Sequence, residues 1–212
     1  MEIISLGHAS FLLKNSIGKR LLLDPFPNDI GYSSYEDKVD LIVMSHKHFD
    51  HCYISVANSE TKLIDTIGYH ETEFCTIEGI QSYHDKENGL KRGANIIYII
   101  NIDGFRICHL GDLGHILDSE TLSKIGQVDI LMIPVGGNFT IDGSEAAKVA
   151  TSINPTYIIP MHYKTPKLTF ELEGPEKFLT SIKNVRKIDS YKFIPDENES
   201  SSNNVILFSL IK

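Results

Sequence analysis

The chain has 212 residues, 42% of them hydrophobic and 23% charged, with a formal net charge of −8. That is ordinary globular composition, enough for one well-buried domain over residues 1–212, and the acidic balance opposes general nucleic-acid binding. No apolar run approaches the roughly 20 residues that span a bilayer, and the start MEIISLGHASFLL lacks a basic, cleavable leader, so the expected setting is cytoplasmic without membrane partners. Three cysteines without C-x-x-C spacing, Cys52, Cys75 and Cys108, argue against a disulfide framework; Cys52 is expected to be a buried free thiol.

In chain order, β-type runs fall at 2–6, 10–14, 20–23, 41–44, 62–65, 73–77, 79–83, 95–102 and 105–110. Asp103-Gly104, between the last two, suits a tight hairpin turn with positive φ. The long loop 25–38 is expected to border a site. The second half changes rhythm: helices at 119–125, 144–153 and 175–182 alternate with apolar strands at 128–134 and 157–160, and closing strands at 185–194 and 204–210 follow. Asp142 and Glu145 are placed as a capping pair for the middle helix. The polar stretch 196–204 reads as a solvated hairpin loop. Layers of both element types around one core are implied.

The stretch Met44-Ser45-His46-Lys47-His48-Phe49-Asp50-His51-Cys52 follows the apolar run Leu41-Ile42-Val43 and packs three imidazoles and a carboxylate into six residues, His46 to His51. Such groups are costly to bury unless paired or metal-bound. His46 and His48 share one side of an extended segment, and Asp50 and His51 rejoin that side if the chain turns into a helix. Lys47 and Phe49 are then spacers. A catalytic zinc takes three protein ligands plus water, so one metal leaves part of this cluster idle, whereas two use it fully. The missing ligands are offered where other apolar runs end: His84, Asp112 and His162. His70, His109 and His115 have no comparable anchor and are read as structural.

H-x-H-x-D-H, a later His, Gly111-Asp112 and Met161-His162-Tyr163 together resemble the metallo-β-lactamase fold superfamily. Leu6-Gly7-His8-Ala9-Ser10-Phe11, Leu22-Leu23-Asp24-Pro25 and Pro134-Val135-Gly136-Gly137-Asn138-Phe139-Thr140 are similar to its small stand-alone metal-dependent hydrolases, related to the ascorbate-6-phosphate lactonase group. The resemblance runs from residue 6 to residue 163. It implies an α/β (α+β) fold, a four-layer αββα sandwich with a two-metal site along a sheet edge. His46, His48 and His84 would hold one metal, Asp50, His51 and His162 the other, and Asp112 would bridge them. The implied cofactors are two divalent metal ions, zinc foremost, with manganese or iron accepted. A hydroxide between the metals is the implied nucleophile, with Asp50 as the catalytic residue that orients it. Flavodiiron relatives carry Glu where His48 stands, so hydrolysis is expected rather than redox chemistry.

The expected substrate is a small, anionic ester, lactone or phosphodiester; the alternative is a non-catalytic metal-containing protein that binds or senses a metabolite. His8, Asp24, Asn138 and Lys164 are expected to support ligands or face substrate, and Lys91 and Arg92 could assist with an anion. Two residues depart from the family pattern: Leu113 replaces a Thr after Asp112, and Lys164 replaces a Gly after Tyr163.

Overall fold

A computed structural model describes residues 1–209. The first half carries β1 (Glu2–Gly7), β2 (Ser10–Lys14), β3 (Arg20–Leu23), β4 (Leu41–Val43), β5 (Lys62–Ile64), β6 (Gly68–Glu71), β7 (Thr76–Tyr83), β8 (Ala94–Ile102) and β9 (Phe105–His109). The second half carries α1 (Ser119–Ile125), β10 (Ile130–Pro134), α2 (Gly143–Ile153), β11 (Tyr157–Met161), α3 (Glu176–Ser181), β12 (Val185–Ile188), β13 (Lys192–Phe193) and β14 (Asn204–Phe208). Two sheets result, a six-stranded one ordered β13-β1-β2-β3-β4-β5 and an eight-stranded one ordered β12-β14-β11-β10-β9-β8-β7-β6.

Period-two alternation explains how one strand serves two layers. In β4, Leu41 and Val43 join Phe11, Leu21, Tyr98 and Met132 between the sheets, while Ile42 turns to the outer face with Leu12, Leu22 and Ile30. On the second sheet Ile97, Ile99, Leu131 and Ile158 face outward and bury Ala146, Val149, Ala150 and Phe178 from α2 and α3. The capping pair of α2 forms: Asp142 accepts from the Ser144 and Glu145 backbone N–H, and Glu145 accepts from the Asp142 N–H. The Asp103-Gly104 turn also forms, with φ of 50° and 82°, joining β8 to β9.

The layers run αββα in order, but the layer over the first sheet is mostly irregular chain with one 3-10 turn at Asn28–Ile30. Loop 25–38 builds that layer through Phe26, Ile30 and Tyr32 instead of lining the site; Tyr32 alone reaches a small cavity beside His8. The runs 73–77 and 79–83 are one strand, β7. Gly79 does not break it, because a Cβ there would lie 2.6 Å from the Thr66 carbonyl oxygen, so the glycine admits a close crossing. β6 was not expected: its sequence, Gly-Tyr-His-Glu, has no apolar alternation, and only pairing with β7 makes it a strand.

The run 185–194 divides at Asp189-Ser190-Tyr191. β12 pairs parallel to β14 in one sheet and β13 pairs antiparallel to β1 in the other. Segment 196–204 therefore links the two sheets and is no hairpin loop. The expected strand 204–210 ends at Phe208, and Leu210 lies outside the described residues. Cys52 is half-buried rather than buried, its Sγ donating to the Lys47 carbonyl at 3.5 Å. No described helix is long and apolar enough to cross a membrane.

Candidate metal centre

Every residue of the constellation sits just past the C-terminal end of a strand. His8 follows β1, Asp24 follows β3, the His46 to His51 stretch follows β4, His84 follows β7, Asp112 follows β9 and His162 follows β11. Strand ends of both sheets thus deliver side chains to one edge. After His48 the chain makes a single turn, closed by His51 N–H to the His48 carbonyl at 3.0 Å, and not the helix expected. That turn still brings Asp50 and His51 back to the side of His46.

Ligand-type atoms converge in three groups, within each of which they lie within 4.8 Å of one another: His46, His48 and His84; His8, Asp50, His51 and His162; and His46, His51 and Asp112. The Asp112 carboxylate sits among them. Its Oδ2 lies 3.0 Å from His84 Nε2, 3.2 Å from His162 Nε2 and 3.8 Å from His46 Nε2, and its Oδ1 lies 3.4 Å from His51 Nε2. His8 Nε2 donates to Asp50 Oδ2 at 3.0 Å, which puts His8 in direct contact with the cluster.

A buried relay behind the cluster fixes two tautomers. His51 Nδ1–H donates to Asp24 Oδ2 at 3.0 Å. His46 Nδ1–H donates to Ser45 Oγ at 2.9 Å, and that hydroxyl donates onward to Asp24 Oδ2 at 2.7 Å. Both rings therefore keep a proton on Nδ1 and turn Nε2 toward Asp112. Burial, and then the neighbouring His51, push His46 down to about 3, so its imidazole stays neutral as a ligand must. Burial would lower His51 as well, but Asp112 and Asp24 outweigh it and hold that imidazole well above its ordinary range. Burial likewise opposes ionisation of Asp112, yet His162 and His51 keep its carboxyl well below the usual carboxylate range.

This geometry is unsatisfied on its own terms. His51 Nε2 and Asp112 Oδ1 are buried without a hydrogen bond. His46 Nε2, with its own proton on Nδ1, is by contrast satisfied by accepting from His48 Nδ1–H at 3.0 Å. Unpaired buried polar atoms cost about 1–3 kcal/mol each. A cation among these nitrogens and carboxylate oxygens would relieve them, and the donor set, imidazole with carboxylate, suits zinc, manganese or iron.

Comparison with known proteins gives the arrangement a context. The sequence profile of the β-lactamase superfamily domain matches residues 2–162. The chain belongs to the metallo-β-lactamase superfamily. A UPF0173 metal-dependent hydrolase of Pyrococcus furiosus is 32% identical over 84% of this chain and 90% of its own length. Another, from Thermococcus onnurineus, is 33% identical over 84% and 90%. A crystal structure from Thermotoga maritima, of a protein assigned as a zinc-dependent hydrolase of the superfamily, superimposes with a TM-score of 0.81 at 31% identity, covering 98% of this chain and 97% of that one. This superfamily member is accordingly a metal-dependent hydrolase with a His/Asp cluster fit for metal.

Several supporting residues of the hydrolase carry no sequence signal. Asn95, fully buried on β8, accepts from the Asp112 N–H at 2.9 Å and donates to Ser82 Oγ and the Leu110 carbonyl. It locks the loop that presents Asp112. Gly114 lets that loop cross His84, since a Cβ would lie 2.3 Å from the His84 carbonyl carbon. Asp85 accepts four backbone N–H groups, from Glu87, Gly89, Lys91 and Arg92, and shapes the turn after His84. Burial opposes its ionisation, but these bonds draw it down to about 2. His109 is structural, donating to the Ala9 carbonyl and accepting from the Gly111 N–H. His115 accepts from the Tyr83 N–H and His70 lies against Thr66.

Asn138 and Lys164 spend their polar atoms on the chain. Lys164 Nζ donates to the Leu168 and Phe170 carbonyls at 2.9 and 2.7 Å, and Asn138 Nδ2 donates to the Glu171 carbonyl at 2.7 Å. Both tether loop 165–173. Lys91 pairs with Glu87 across an exposed turn, and Lys47 pairs with Asp65. Phe49, read as a spacer, is 58% exposed and meets Phe170 edge to face.

Proposed function

We propose that this protein holds two divalent cations and hydrolyses a small anionic ester, lactone or phosphodiester. The observation that carries the reading is the place of Asp112: its two oxygens lie within 3.8 Å of Nε2 atoms from His46, His51, His84 and His162. In this reading His46, His48 and His84 hold one cation, Asp50, His51 and His162 the other, and Asp112 both. Cations held there would lower the pKa of water toward neutrality and offset charge developing on a carbonyl or phosphoryl oxygen.

The chain's own residues set the rest. Asp24, through His51 and through Ser45 to His46, keeps two imidazoles in one tautomer, so the donors do not reorganise as the reaction proceeds. His8 holds Asp50 by a hydrogen bond at 3.0 Å and fixes the carboxylate that would orient the attacking water. Burial of His51, Asp112 and His162 keeps bulk water from the ligand side of the centre.

Elemental analysis of protein purified from metal-supplemented medium, together with turnover of a lactone, a thioester and a phosphodiester, tests the proposal. About two cations per chain are expected, falling to about one in His48→Ala. Less than one cation per chain in the unaltered protein refutes it. Full metal content with no turnover of any substrate would favour the metabolite-binding alternative.

A further inference from the structure

We propose that Phe49, Phe139, Phe170 and Arg92 form a recognition element beside the metal centre, which seats a flat apolar ring bearing a carboxylate in the substrate. This rests on the hydrolytic reading above, since the ring belongs to the molecule being cleaved.

Phe49 stands between His48 and Asp50 with 58% of its surface in water, an apolar exposure that the fold does not require. It does not stand alone. Its ring lies 6.2 Å from Phe170 at 81°, and Phe170 lies 6.5 Å from Phe139 at 76°. Phe170 also meets His8 edge-on at 5.4 Å, and His8 holds Asp50. Three edge-to-face rings thus make an apolar wall that starts at the cluster and runs to the surface. Aromatic surfaces of this kind favour a further ring beyond what area burial alone gives.

Arg92 gives the wall its charge preference. Its guanidinium lies 4.7 Å over the Phe139 ring, and Nη2 donates to the Asn138 carbonyl at 3.3 Å. Among the described residues it has no carboxylate partner. Lys47, in the same cavity, is neutralised by Asp65. That cavity, about 310 Å³ in volume, is lined by His46 and His48 together with Arg92, so Arg92 joins the space beside these imidazoles to the ring wall through Phe139. The volume is at the lower end for small-molecule sites, about 300–1,000 Å³. A planar fork held over an aromatic ring matches a carboxylate in two-bond geometry.

The element is also held rigid. Asp85 grips the backbone N–H of Arg92 at 2.7 Å, and Lys164 and Asn138 tie down the loop that carries Phe170. Two residues expected near substrate therefore act one step away, by positioning the ring wall.

The test is calorimetric titration of the metal-loaded protein with methyl phosphate, phenyl phosphate and 3- and 4-carboxyphenyl phosphate, the phosphate end being offered to the metal centre. Phenyl phosphate should bind about tenfold tighter than methyl phosphate, and the better carboxyphenyl isomer about tenfold tighter again. Phe49→Ala, at an exposed position, should erase the first step, and Phe170→Leu should reduce it. Arg92→Met should erase the second step and leave the first intact. Equal affinity for methyl and phenyl phosphate, or an unchanged second step in Arg92→Met, overturns the proposal. Metal content and turnover of the same esters are measured alongside: a flat affinity series in metal-loaded, active protein refutes the recognition element alone. A stepped series in protein that hydrolyses nothing refutes the hydrolytic reading and leaves the recognition element standing.

Discussion

Asp24→Asn isolates the relay behind the proposed metal ligands His46 and His51 with almost no change in shape. The native carboxylate accepts from the Ser45 N–H through Oδ1, and from both Ser45 Oγ–H and His51 Nδ1–H through Oδ2. An amide can keep the first bond, but its NH2 then meets the His51 Nδ1–H as donor against donor. His51 must move its proton to Nε2, the atom that faces Asp112, or leave a buried donor unpaired. The second outcome costs about 1–3 kcal/mol. The first removes a lone pair from the centre, and loss of such a supporting hydrogen bond typically lowers metal affinity about 10–100-fold, or about 1.4–2.7 kcal/mol. The two estimates agree in size, so zinc affinity should fall about 10–100-fold. Competition against a chromophoric chelator at neutral pH measures it, and thermal melting of chelator-treated protein shows that the fold survives. A folded Asp24→Asn protein with unchanged zinc affinity would refute the argument that Asp24 sets the His51 tautomer.

Asp85 supplies a pH prediction. Its folded pKa, about 2, lies below the unfolded value of about 3.9, so its stabilising bonds are fully present above about pH 4 and are lost as pH falls toward 2. Urea midpoints of the unaltered protein and Asp85→Asn should differ most at pH 6 and draw together as pH falls from 4 through 2; a constant difference would contradict this. Gly114→Ala places a Cβ 2.3 Å from the His84 carbonyl carbon, so overpacking should cost about 1–3 kcal/mol and metal content should drop as His84 shifts. Phe178→Ala, at a fully buried position of α3 against the second sheet, should lower stability by about 3–5 kcal/mol in urea while metal content stays unchanged.

Local chemistry wrote most of the element boundaries into the chain. The Asp142 and Glu145 pair starts α2 where expected, because a cap is satisfied by atoms three residues away. The Asp103-Gly104 turn is equally local. Failures came where the pairing partner, and not the segment's own pattern, decided the element. β6 has no apolar pattern and exists through β7, and the run 185–194 divides because its halves find partners in different sheets.

The amino-acid sequence determined the kinds of ligand atom and their order along the chain, since His46, His48, Asp50 and His51 fall within a single strand end and its turn. It held no sign that Asn95 locks Asp112, that Asp85 presents Arg92, or that Phe49 belongs to a wall with Phe139 and Phe170. The Asp85 bond closes within one loop, whereas the others join residues 17 to 121 positions apart, and contacts at such separations exist only once the folded strands bring their ends together. Asn138 and Lys164 make the same point: a motif placed them near the centre, and only the folded loop decided that their polar groups would hold backbone and not substrate.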